Sequence, residues 1–410
     1  MKLINILFMS VLLLITACET TESPIISNEN QIESKIQTLF EDEYDTYLES
    51  YPNYPGGFAL QIRYRGEDYF VQKGFNEEIT KRYHFRPESN TKTFTAAAII
   101  LLHQRGELNV NHLLTDYTPA GDKTYLPDTE NFNIPNKNQI RIWDLLLHRA
   151  GVFDLANQDI PDTIQGNVPY TGDTYIEYIR RVDPNHTMTF EELVGIVAKH
   201  QLYNFLPGEK WSYSNTGYTI LGYIIERISG KSYKQFLTDE FVIPLALTDT
   251  SLPDEGNDQT IPYPFVNGYY YMGDVTIDAT ERNMSGNVAE GNIISSTNDL
   301  CTFFRSLLRG ESAVNILMVA TYMMDCKPIG DVGSRTYGAG LFRYVDLGYG
   351  HGGDGDGFSS KIFYDTDNDL AMVLFHNCWN ASGGAESFYA QDRYITEICY
   401  KVHQAVLNQE

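Results

Sequence analysis

The chain has 410 residues, which is enough for one large domain or for two lobes around a shared core. Its hydrophobic fraction of 42% and aromatic fraction of 13% are those of a folded globular protein and exclude a disordered one. The formal net charge of -24 repels phosphate backbones, so nucleic acid is excluded as an expected partner, and the even spread of acidic residues indicates solubility rather than an acidic binding tail.

The first eighteen residues have the composition of an export signal. Lys2 precedes an almost wholly apolar run, Ile4 to Ile15, that is too short to span a bilayer as a mature helix. Ala17 and Cys18 follow, and this ending resembles a bacterial lipoprotein signal, in which Cys18 is freed by cleavage and acylated. The alternative is a plain secretory signal with an incidental cysteine. We expect an exported protein, in the periplasm or at the cell surface, held to the membrane through a lipid anchor only, because each buried CH₂ of an acyl chain contributes roughly 0.8 kcal/mol.

A polar tether over residues 19–30 is predicted to lead into one domain over residues 31–410. Helical spacing of apolar residues covers 31–51. Strand patterns predict two β-hairpins, one near each end of the chain. Their strands are Phe58–Tyr64 with Tyr69–Gln72, and Phe358–Tyr364 with Leu370–Asn377. A last amphipathic helix is predicted from Glu386 to Leu407.

The middle of the chain is mostly helical in pattern. Helices are predicted over Thr91–Arg105, Ile142–His148, Phe190–His200, Thr216–Ile228 and Asn298–Leu308. Gly106, Gly230 and Gly310 stand where helix C-caps belong. The predicted fold is therefore α/β (α+β). An antiparallel sheet with N- and C-terminal helices forms an α/β lobe from 31–80 and 335–410, and an all-helical lobe from 81–334 is inserted into it. A cleft between such lobes is the expected place for a site.

Four cysteines besides Cys18 lie in the predicted domain. They are Cys301, Cys326, Cys378 and Cys399. None has CxxC or metal-type spacing, and three of them have apolar neighbours, so buried free thiols are expected. A disulfide is compatible with export but cannot be paired from sequence.

Ser89 and Lys92 carry the first chemical signal. They form the only S-x-x-K in the chain, at the start of the helix predicted from Thr91. By itself Ser89 is more simply explained as a helix N-cap. Three residues on, Lys92 lies on the same helix face, where burial disfavours a charged amine and a neutral amine can take the hydroxyl proton. The helix N-terminus also favours negative charge developing at Ser89.

Two further motifs follow in chain order. Tyr213 and Asn215 form Y-x-N in a loop before a helix, where neighbouring cations that lower the phenol pKa would let the tyrosine shuttle protons and an amide side chain can hold a substrate amide. His351 and Gly353 form H-x-G in a glycine-rich strand, where a substrate backbone can approach closely. Each motif alone is weak, and the last is equally typical of a flexible turn.

Together, S-x-x-K, Y-x-N and H-x-G in this order and setting resemble the penicillin-recognising serine hydrolases. The similarity covers about residues 55 to 405 and is greatest to the branch of class C β-lactamases, D-alanyl-D-alanine carboxypeptidases, D-aminopeptidases and related esterases. Framework stretches also resemble that branch. They are Leu145–Gly151, Pro207–Asn215, Pro244–Thr250 and Glu290–Leu300.

The resemblance implies a role for each motif residue. Ser89 would form the acyl-enzyme, and Lys92 and Tyr213 would move its proton. Asn215 would hold the substrate's amide or the acyl side chain, and His351 would support the Tyr213 network from the sheet edge. Gly353 and Asp354 would line the substrate site, and the backbone N–H groups of Ser89 and Asp354 would form the oxyanion hole, each donor contributing about 3 kcal/mol. No cofactor and no metal are implied.

The H-x-G motif departs from the family pattern in two ways. Gly352 replaces the hydroxyl residue that helps bind a substrate carboxylate, which puts carboxypeptidase and β-lactamase activity in doubt. Arg343, on the preceding strand, is a candidate replacement, although a strand arginine usually faces solvent. Asp354 places an acid beside the expected oxyanion hole, where it would repel an anionic substrate if it faces the cleft.

Other sites are not supported by the sequence. There is no G-x-S-x-G elbow and no H-E-x-x-H zinc motif. The run Asp365–Asp369 lacks the glycine and the final acid of a calcium loop, so a hairpin turn is expected. His148 is expected to be structural, and the Tyr269–Tyr271 cluster fits a cleft wall and a packed core equally well.

We therefore predict a serine hydrolase that acts on a small-molecule, peptide or peptidoglycan-fragment substrate through an acyl-enzyme. A D-alanyl-D-alanine carboxypeptidase or D-peptidase is the leading form. A carboxylesterase or a β-lactamase of the same fold is the alternative. A non-catalytic binding protein of this fold is a third hypothesis, disfavoured because all the motif residues are present.

Overall fold

The computed structural model describes residues 28–166, 168–330 and 335–408. The predicted signal segment, Cys18 and most of the predicted tether lie outside these residues. The described strands are β1 (Phe58–Tyr64), β2 (Glu67–Lys73), β3 (Tyr269–Tyr271), β4 (Thr276–Asp278), β5 (Lys327–Pro328), β6 (Thr336–Tyr337), β7 (Phe342–Tyr344), β8 (Gly348–Gly355), β9 (Phe358–Asp365), β10 (Leu370–His376) and β11 (Cys378–Asn380). The described helices are α1 (Asn28–Ser50), α2 (Thr91–Gln104), α3 (Ile142–Leu146), α4 (Tyr175–Val182), α5 (Phe190–His200), α6 (Asn215–Ser229), α7 (Tyr233–Leu237), α8 (Thr297–Leu308), α9 (Ile316–Met318) and α10 (Ala385–Leu407).

Eight strands form one antiparallel sheet in the order β2-β1-β10-β9-β8-β7-β6-β5. Both predicted hairpins are confirmed, and they pair with each other through β1 and β10, with Phe58 opposite His376. The first and last strands of this sheet in chain order, β1 and β10, therefore lie side by side in it.

Alternation along the strands assigns the two sheet faces. Phe58, Leu60 and Ile62 pack in one core with α1 and α10, while Ala59 faces the other core. The residues of β10 alternate in the same way. Met372 lies in the core that contains α1 and α10, and the residues on either side of it face the other core. Successive side chains of a strand point to opposite faces, so one sheet separates two cores.

Helix α2 runs through the centre of the second core. Its residues Thr91 to Leu102 are all buried, which explains why all of them except Lys92 are apolar or small. The Phe94 ring stacks on Phe303 of α8 with ring centroids 3.4 Å apart. Helix α8 in turn packs against β1, β9 and β10. Helix α2 is thereby fixed between the sheet and the helical layer.

The middle segment contains most of the described helices, but it is not all-helical, because it also contains strands β3, β4 and β5. Strand β5 lies at the edge of the eight-stranded sheet, and β3 and β4 pair with β11 in a three-stranded sheet, in which β3 and β11 are parallel. Strands of three residues offer too little alternation to be recognised in the sequence. The segment from 81 to 334 therefore also contributes to the sheet side of the molecule, through α8 and this small sheet.

Several local predictions are confirmed. Gly106, Gly230 and Gly310 all have positive φ, as helix C-caps require. The described cysteines are free, and three of them are buried. In the β9–β10 turn, Asp365 Oδ1 accepts from the N–H groups of Asp367 and Asn368, as in an Asx turn rather than a calcium loop. None of the described helices is long and apolar enough to cross a membrane.

Candidate active site

Ser89 lies in a single 3₁₀ turn, Glu88–Asn90, that leads directly into α2. It is partly exposed, and its side chain makes no capping hydrogen bond, so the N-cap interpretation is wrong. Asn90 Nδ2 fastens the turn by donating to Pro87 O and to Ser360 Oγ, each at 2.9 Å. Glu88 has φ +52, a strained left-handed conformation of the kind that clusters at functional sites.

Lys92 is fully buried one turn after Ser89 and is surrounded by acceptors. Its Nζ lies 3.1 Å from Ser89 Oγ, 2.6 Å from Asn215 Oδ1 and 2.8 Å from the carbonyl oxygen of Glu290. Glu290 also approaches with its carboxylate, since Oε2 is 3.1 Å from the same nitrogen. Nζ further lies 4.8 Å from the centre of the Tyr213 ring. The S-x-x-K motif thus forms the predicted contact, with an added carboxylate.

Asn215 is held by the protein at both ends of its amide. Its Oδ1 accepts from Lys92, and its Nδ2 donates to Asp154 Oδ2 at 3.3 Å. Asp154 is buried, which raises the pKa of its carboxyl to about 6, and the nearby charge of Glu290 acts in the same direction. Asp154 therefore sets the orientation of Asn215, and the predicted contact of Asn215 with a substrate amide competes with these two bonds.

Tyr213 contacts the site as a neutral phenol. Burial raises its pKa well above the usual range, and a side-chain interaction with Ser89 acts in the opposite direction. The condition of a phenol pKa lowered by neighbouring cations is not met, because desolvation dominates and Glu290 and Asp154 add to it. Tyr213 is thus suited to donate its O–H.

A directional chain of hydrogen bonds lies behind Tyr213. The Ser214 N–H donates to His148 Nδ1 at 3.1 Å, so His148 carries its proton on Nε2, 3.3 Å from the Tyr337 hydroxyl. That hydroxyl is 3.1 Å from His351 Nε2, and His351 Nδ1 lies 2.5 Å from Gly352 O. Each ring therefore has one fixed tautomer.

His148 and His351, the two histidines in this series of hydrogen bonds, are neutral. Burial lowers the pKa of His351 to about 3 and that of His148 well below its usual range, and the charge on Lys92 acts in the same direction. The His351 ring centre is 6.3 Å from that of Tyr213, and its nitrogens bind Tyr337 and Gly352 instead. The predicted support of Tyr213 by His351 is therefore indirect. His148, 4.2 Å from the Tyr213 ring, supports the loop, as a structural role requires.

Strand β8 packs tightly against the turn that carries Ser89. A Cβ on Gly353 would lie 1.9 Å from Pro87 O, so only glycine allows this approach. Asp354, the next residue, lines the same cleft as Ser89, as the oxyanion-hole hypothesis requires. Its carboxylate accepts from Ser359 Oγ and interacts with Lys361, and burial raises its pKa.

Lys361 occupies the space that a side chain on Gly352 would take. It faces Gly352 across the β8–β9 pair, and a Cβ there would lie 2.6 Å from Lys361 Nζ. The ammonium forms an ion pair with Asp392. Burial lowers the pKa of Lys361, but the carboxylates of Asp354 and Asp392 outweigh burial and hold that pKa above its usual range. Arg343, by contrast, is exposed, and its guanidinium lies 6.0 Å from the Tyr349 ring.

The cleft extends to both sides of Ser89. One compartment, of about 490 Å³, has the charged side chains of Glu88, Arg180, Arg282 and Asp356 in its wall. The other, of about 680 Å³, is walled by aromatic rings together with Arg335, Lys361, Asp354 and Asp392. The sequence left open whether the Tyr269–Tyr271 cluster forms a cleft wall or packs in a core. In the structure, Tyr270 lines both compartments and Tyr271 is buried in the core shared with α1.

Sequence reasoning missed Glu290, Asp154 and Tyr337. Glu290 lies within a stretch that was recognised only as framework, and its acidic side chain beside a glycine was the available signal. Asp154 and Tyr337 carry no motif, and only the fold brings them to the site.

A serine and a buried lysine in a cleft of this sheet-and-helix fold define the class of β-lactamase-fold serine hydrolases. The beta-lactamase family model matches residues 53–394, and the chain belongs to that family. Putative penicillin-binding protein PbpX of Bacillus subtilis (strain 168) is 26% identical over 405 residues, which are 95% of this chain and 87% of that protein. Protein flp of Staphylococcus aureus (strain NCTC 8325 / PS 47) is 24% identical over 85% of this chain, and the match spans only 64% of that protein.

Solved structures share the fold. D-amino acid amidase from Ochrobactrum anthropi SV3, complexed with L-phenylalanine amide, has a TM-score of 0.70 at 24% identity, covering 92% of this chain and 99% of that one. D-stereospecific amidohydrolase from Streptomyces sp. has a TM-score of 0.69 at 23% identity, covering 84% and 94%. The predicted family and fold class are both confirmed.

Proposed function

We propose that this protein cleaves a small amide or peptide through an acyl-Ser89 intermediate, with a D-amino-acid amide or peptide, such as a peptidoglycan stem fragment, as substrate. The observation that carries the proposal is the contact of 3.1 Å between Lys92 Nζ and Ser89 Oγ at the floor of a cleft. The names of the amidases that share the fold support the choice of a D-amino-acid substrate.

The geometry suits acyl transfer. Lys92 takes the Ser89 proton as Oγ bonds to the acyl carbon, and we propose that the backbone N–H groups of Ser89 and Asp354 receive the resulting oxyanion. Tyr213, held neutral, donates its proton to the leaving group and is reprotonated from Lys92. Water then attacks the acyl carbon through the reverse sequence of proton transfers.

The chemistry around Gly352 favours substrates without a carboxylate at that point. The family's hydroxyl is missing there, and the ammonium that occupies its place is paired with Asp392 and lies near Asp354. A carboxypeptidase needs a cation that is free to bind the terminal carboxylate, so we propose an amidase or D-peptidase ahead of a carboxypeptidase or β-lactamase.

The engagement of Asn215 favours one alternative, a carboxylesterase. Both ends of its amide are bound within the protein, by Lys92 and Asp154, so it offers an amide substrate less than the resemblance implies. Comparing D-alanyl-p-nitroanilide with p-nitrophenyl butyrate separates the two. A strong preference for the anilide supports the amidase, and turnover of the ester alone supports the esterase.

Covalent labelling tests the nucleophile. Intact mass is measured after incubation with a fluorophosphonate and, separately, with a penicillin, for wild type, Ser89→Ala and Ser212→Ala. Ser212 is a partly exposed serine in the loop before α6 and serves as the matched control. We expect a phosphonate adduct on wild type and Ser212→Ala but not on Ser89→Ala. Labelling of Ser89→Ala would contradict the proposal, and a stable penicilloyl adduct would redirect it to a carboxypeptidase.

We also propose that the protein is exported and lipid-anchored through Cys18, with small molecules or peptides and not nucleic acid as its partners. The sequence of residues 1–18 supports the anchor. Radiolabelled palmitate incorporated into wild type but not into Cys18→Ala, in cells, is the expected result. Equal incorporation would contradict it.

A further inference from the structure

Lys92 has more hydrogen-bonding partners than an ammonium can satisfy. Four acceptor atoms lie within 3.1 Å of its Nζ, on Ser89, Asn215 and, twice, Glu290. An ammonium has three N–H donors and no lone pair. As long as Lys92 carries three protons, it has no lone pair to accept the one on Ser89.

Glu290 is placed where its carboxylate can accept one of the three protons on Lys92. Its side chain is 4% exposed and that of Lys92 is 0% exposed, so the pair is shielded from solvent. Its Oε2 faces Lys92 at 3.1 Å, and its Oε1 accepts from Asn287 Nδ2, which fixes the carboxylate. In such a dry setting, an ion pair and the neutral pair formed by moving one proton lie closer in free energy than they do in water.

We infer that Glu290 holds one proton for Lys92 during acylation, as a positioning residue that acts through the lysine. The Nζ–H bond to Glu290 breaks and an Oε2–H bond forms, which leaves a neutral amine and a neutral acid. The amine then accepts the Ser89 proton as Oγ bonds to the acyl carbon. When the leaving group departs with a proton supplied through Lys92, the acid returns its proton to the amine, and the charges are those of the resting site.

The surroundings of Glu290 keep this exchange local. The titratable and charged groups that interact with it are Lys92, Glu88, Asp154, Tyr213 and Tyr233. The two acids and two phenols are held towards their neutral forms by burial, which leaves Lys92 as the proton donor at contact distance. Glu290 also lines the compartment beside Ser89, so a change there is felt at the nucleophile.

The inference rests on the proposed function and is tested by fluorophosphonate labelling rates between pH 6 and pH 9. In Glu290→Gln the lysine must lose its proton to solvent, so we expect labelling to slow about 100-fold near neutrality and to rise tenfold per pH unit. Wild type and Glu290→Asp keep a carboxylate and should show the shallower wild-type profile. Asp154→Asn removes a buried acid that does not contact Lys92, and it should not introduce the slope.

A Glu290→Gln profile parallel to that of wild type would overturn the inference, because a merely structural role lowers the rate equally at every pH. If that variant does not fold, labelling of wild type in H₂O/D₂O mixtures decides the matter. Two moving protons give a curved dependence on deuterium fraction, and a linear one overturns the inference. Failure of wild type to label at all would overturn the proposed function and this inference together, whereas labelling with the wrong profile overturns only the inference.

Discussion

Buried charged residues next to the nucleophile give the site its electrostatic character. Glu88 precedes Ser89, is buried and has no hydrogen-bonding partner for Oε1 among the described residues. Arg86 is also buried, and its Nε and Nη1 are likewise without partners there. Burial raises the pKa of Glu88 to about 7, against the opposing charges of Arg282 and Arg86. A carboxyl beside the reactive serine thus titrates near neutrality.

The raised pKa of Glu88 makes folding stability depend on pH. Between its ordinary pKa of 4.5 and about 7, the folded protein keeps a proton that the unfolded chain releases. Stability therefore falls as pH rises through this window. Relative to wild type, Glu88→Gln should gain about 3 kcal/mol of unfolding free energy between pH 4.5 and pH 8, as measured by urea denaturation.

The control for this prediction is Glu255→Gln, an exposed acid whose substitution should leave the difference from wild type constant with pH. A difference between wild type and Glu88→Gln that stays constant from pH 4.5 to pH 8 would show that Glu88 does not retain its proton on folding.

At the scale of elements, the site is a junction between one strand and one turn. Strand β8 lies against the 3₁₀ turn of Ser89, Asn90 ties that turn to β9, and Thr93 Oγ1 donates to Gly340 O at 2.7 Å. The nucleophile and the backbone proposed to stabilise its oxyanion therefore come from two elements whose spacing depends on Gly353.

Gly353→Ala should separate these elements. The added Cβ would meet the backbone oxygen of Pro87 at 1.9 Å, and neither backbone can move without shifting the turn. We expect kcat/KM for the best chromogenic substrate to fall about 100-fold, because a displacement of about 1 Å at a reacting group has effects of this size. Gly195→Ala, in helix α5 with no neighbour closer than 3.5 Å, is the control and should retain activity. Near wild-type activity of Gly353→Ala would show that this spacing is not critical.

The same junction shows how much could be predicted from sequence. The hairpins, the long helices and the order of motifs follow from periodicity and glycine caps, and the contact of Ser89 with Lys92 follows from helical spacing. The partners of His351 and Asn215 could not be predicted, because Tyr337 and Asp154 are far from them in sequence and carry no motif. The direction in which the pKa of Tyr213 shifts could not be predicted either, since its burial is a property of the assembled cleft.

At the scale of the whole molecule, the two cores are coupled because they pack on opposite faces of one sheet. Helix α1 packs on one face of the sheet, and α8 and α2 pack on the other, so every layer shares a partner with the next. Of the three tryptophans, Trp143 and Trp211 lie in the middle segment, remote in sequence from α1, whereas Trp379 lies in β11 beside Phe388 of α10. In a Trp379→Phe background, the fluorescence of Trp143 and Trp211 should therefore respond to damage in the terminal layer.

Phe40→Ala in α1 tests this coupling. Phe40 is fully buried in the core between α1 and the sheet, and its truncation should lower the free energy of unfolding by about 3–5 kcal/mol. Urea unfolding followed by tryptophan fluorescence and by far-ultraviolet circular dichroism should shift together. Glu41→Ala, at a partly exposed neighbouring position, should shift neither. A shift in circular dichroism alone would show that the layers unfold separately.

The pairing of β1 with β10 has a consequence for biosynthesis. Strand β1 pairs with β10, which begins at residue 370. Strand β10 pairs in turn with β9, which is made only shortly before it. Because β10 is synthesised long after β1, the β1–β10 ladder cannot form until residue 376 has left the ribosome. Until then β1 has only β2 of its two neighbours in the sheet, so its other edge stays unpaired.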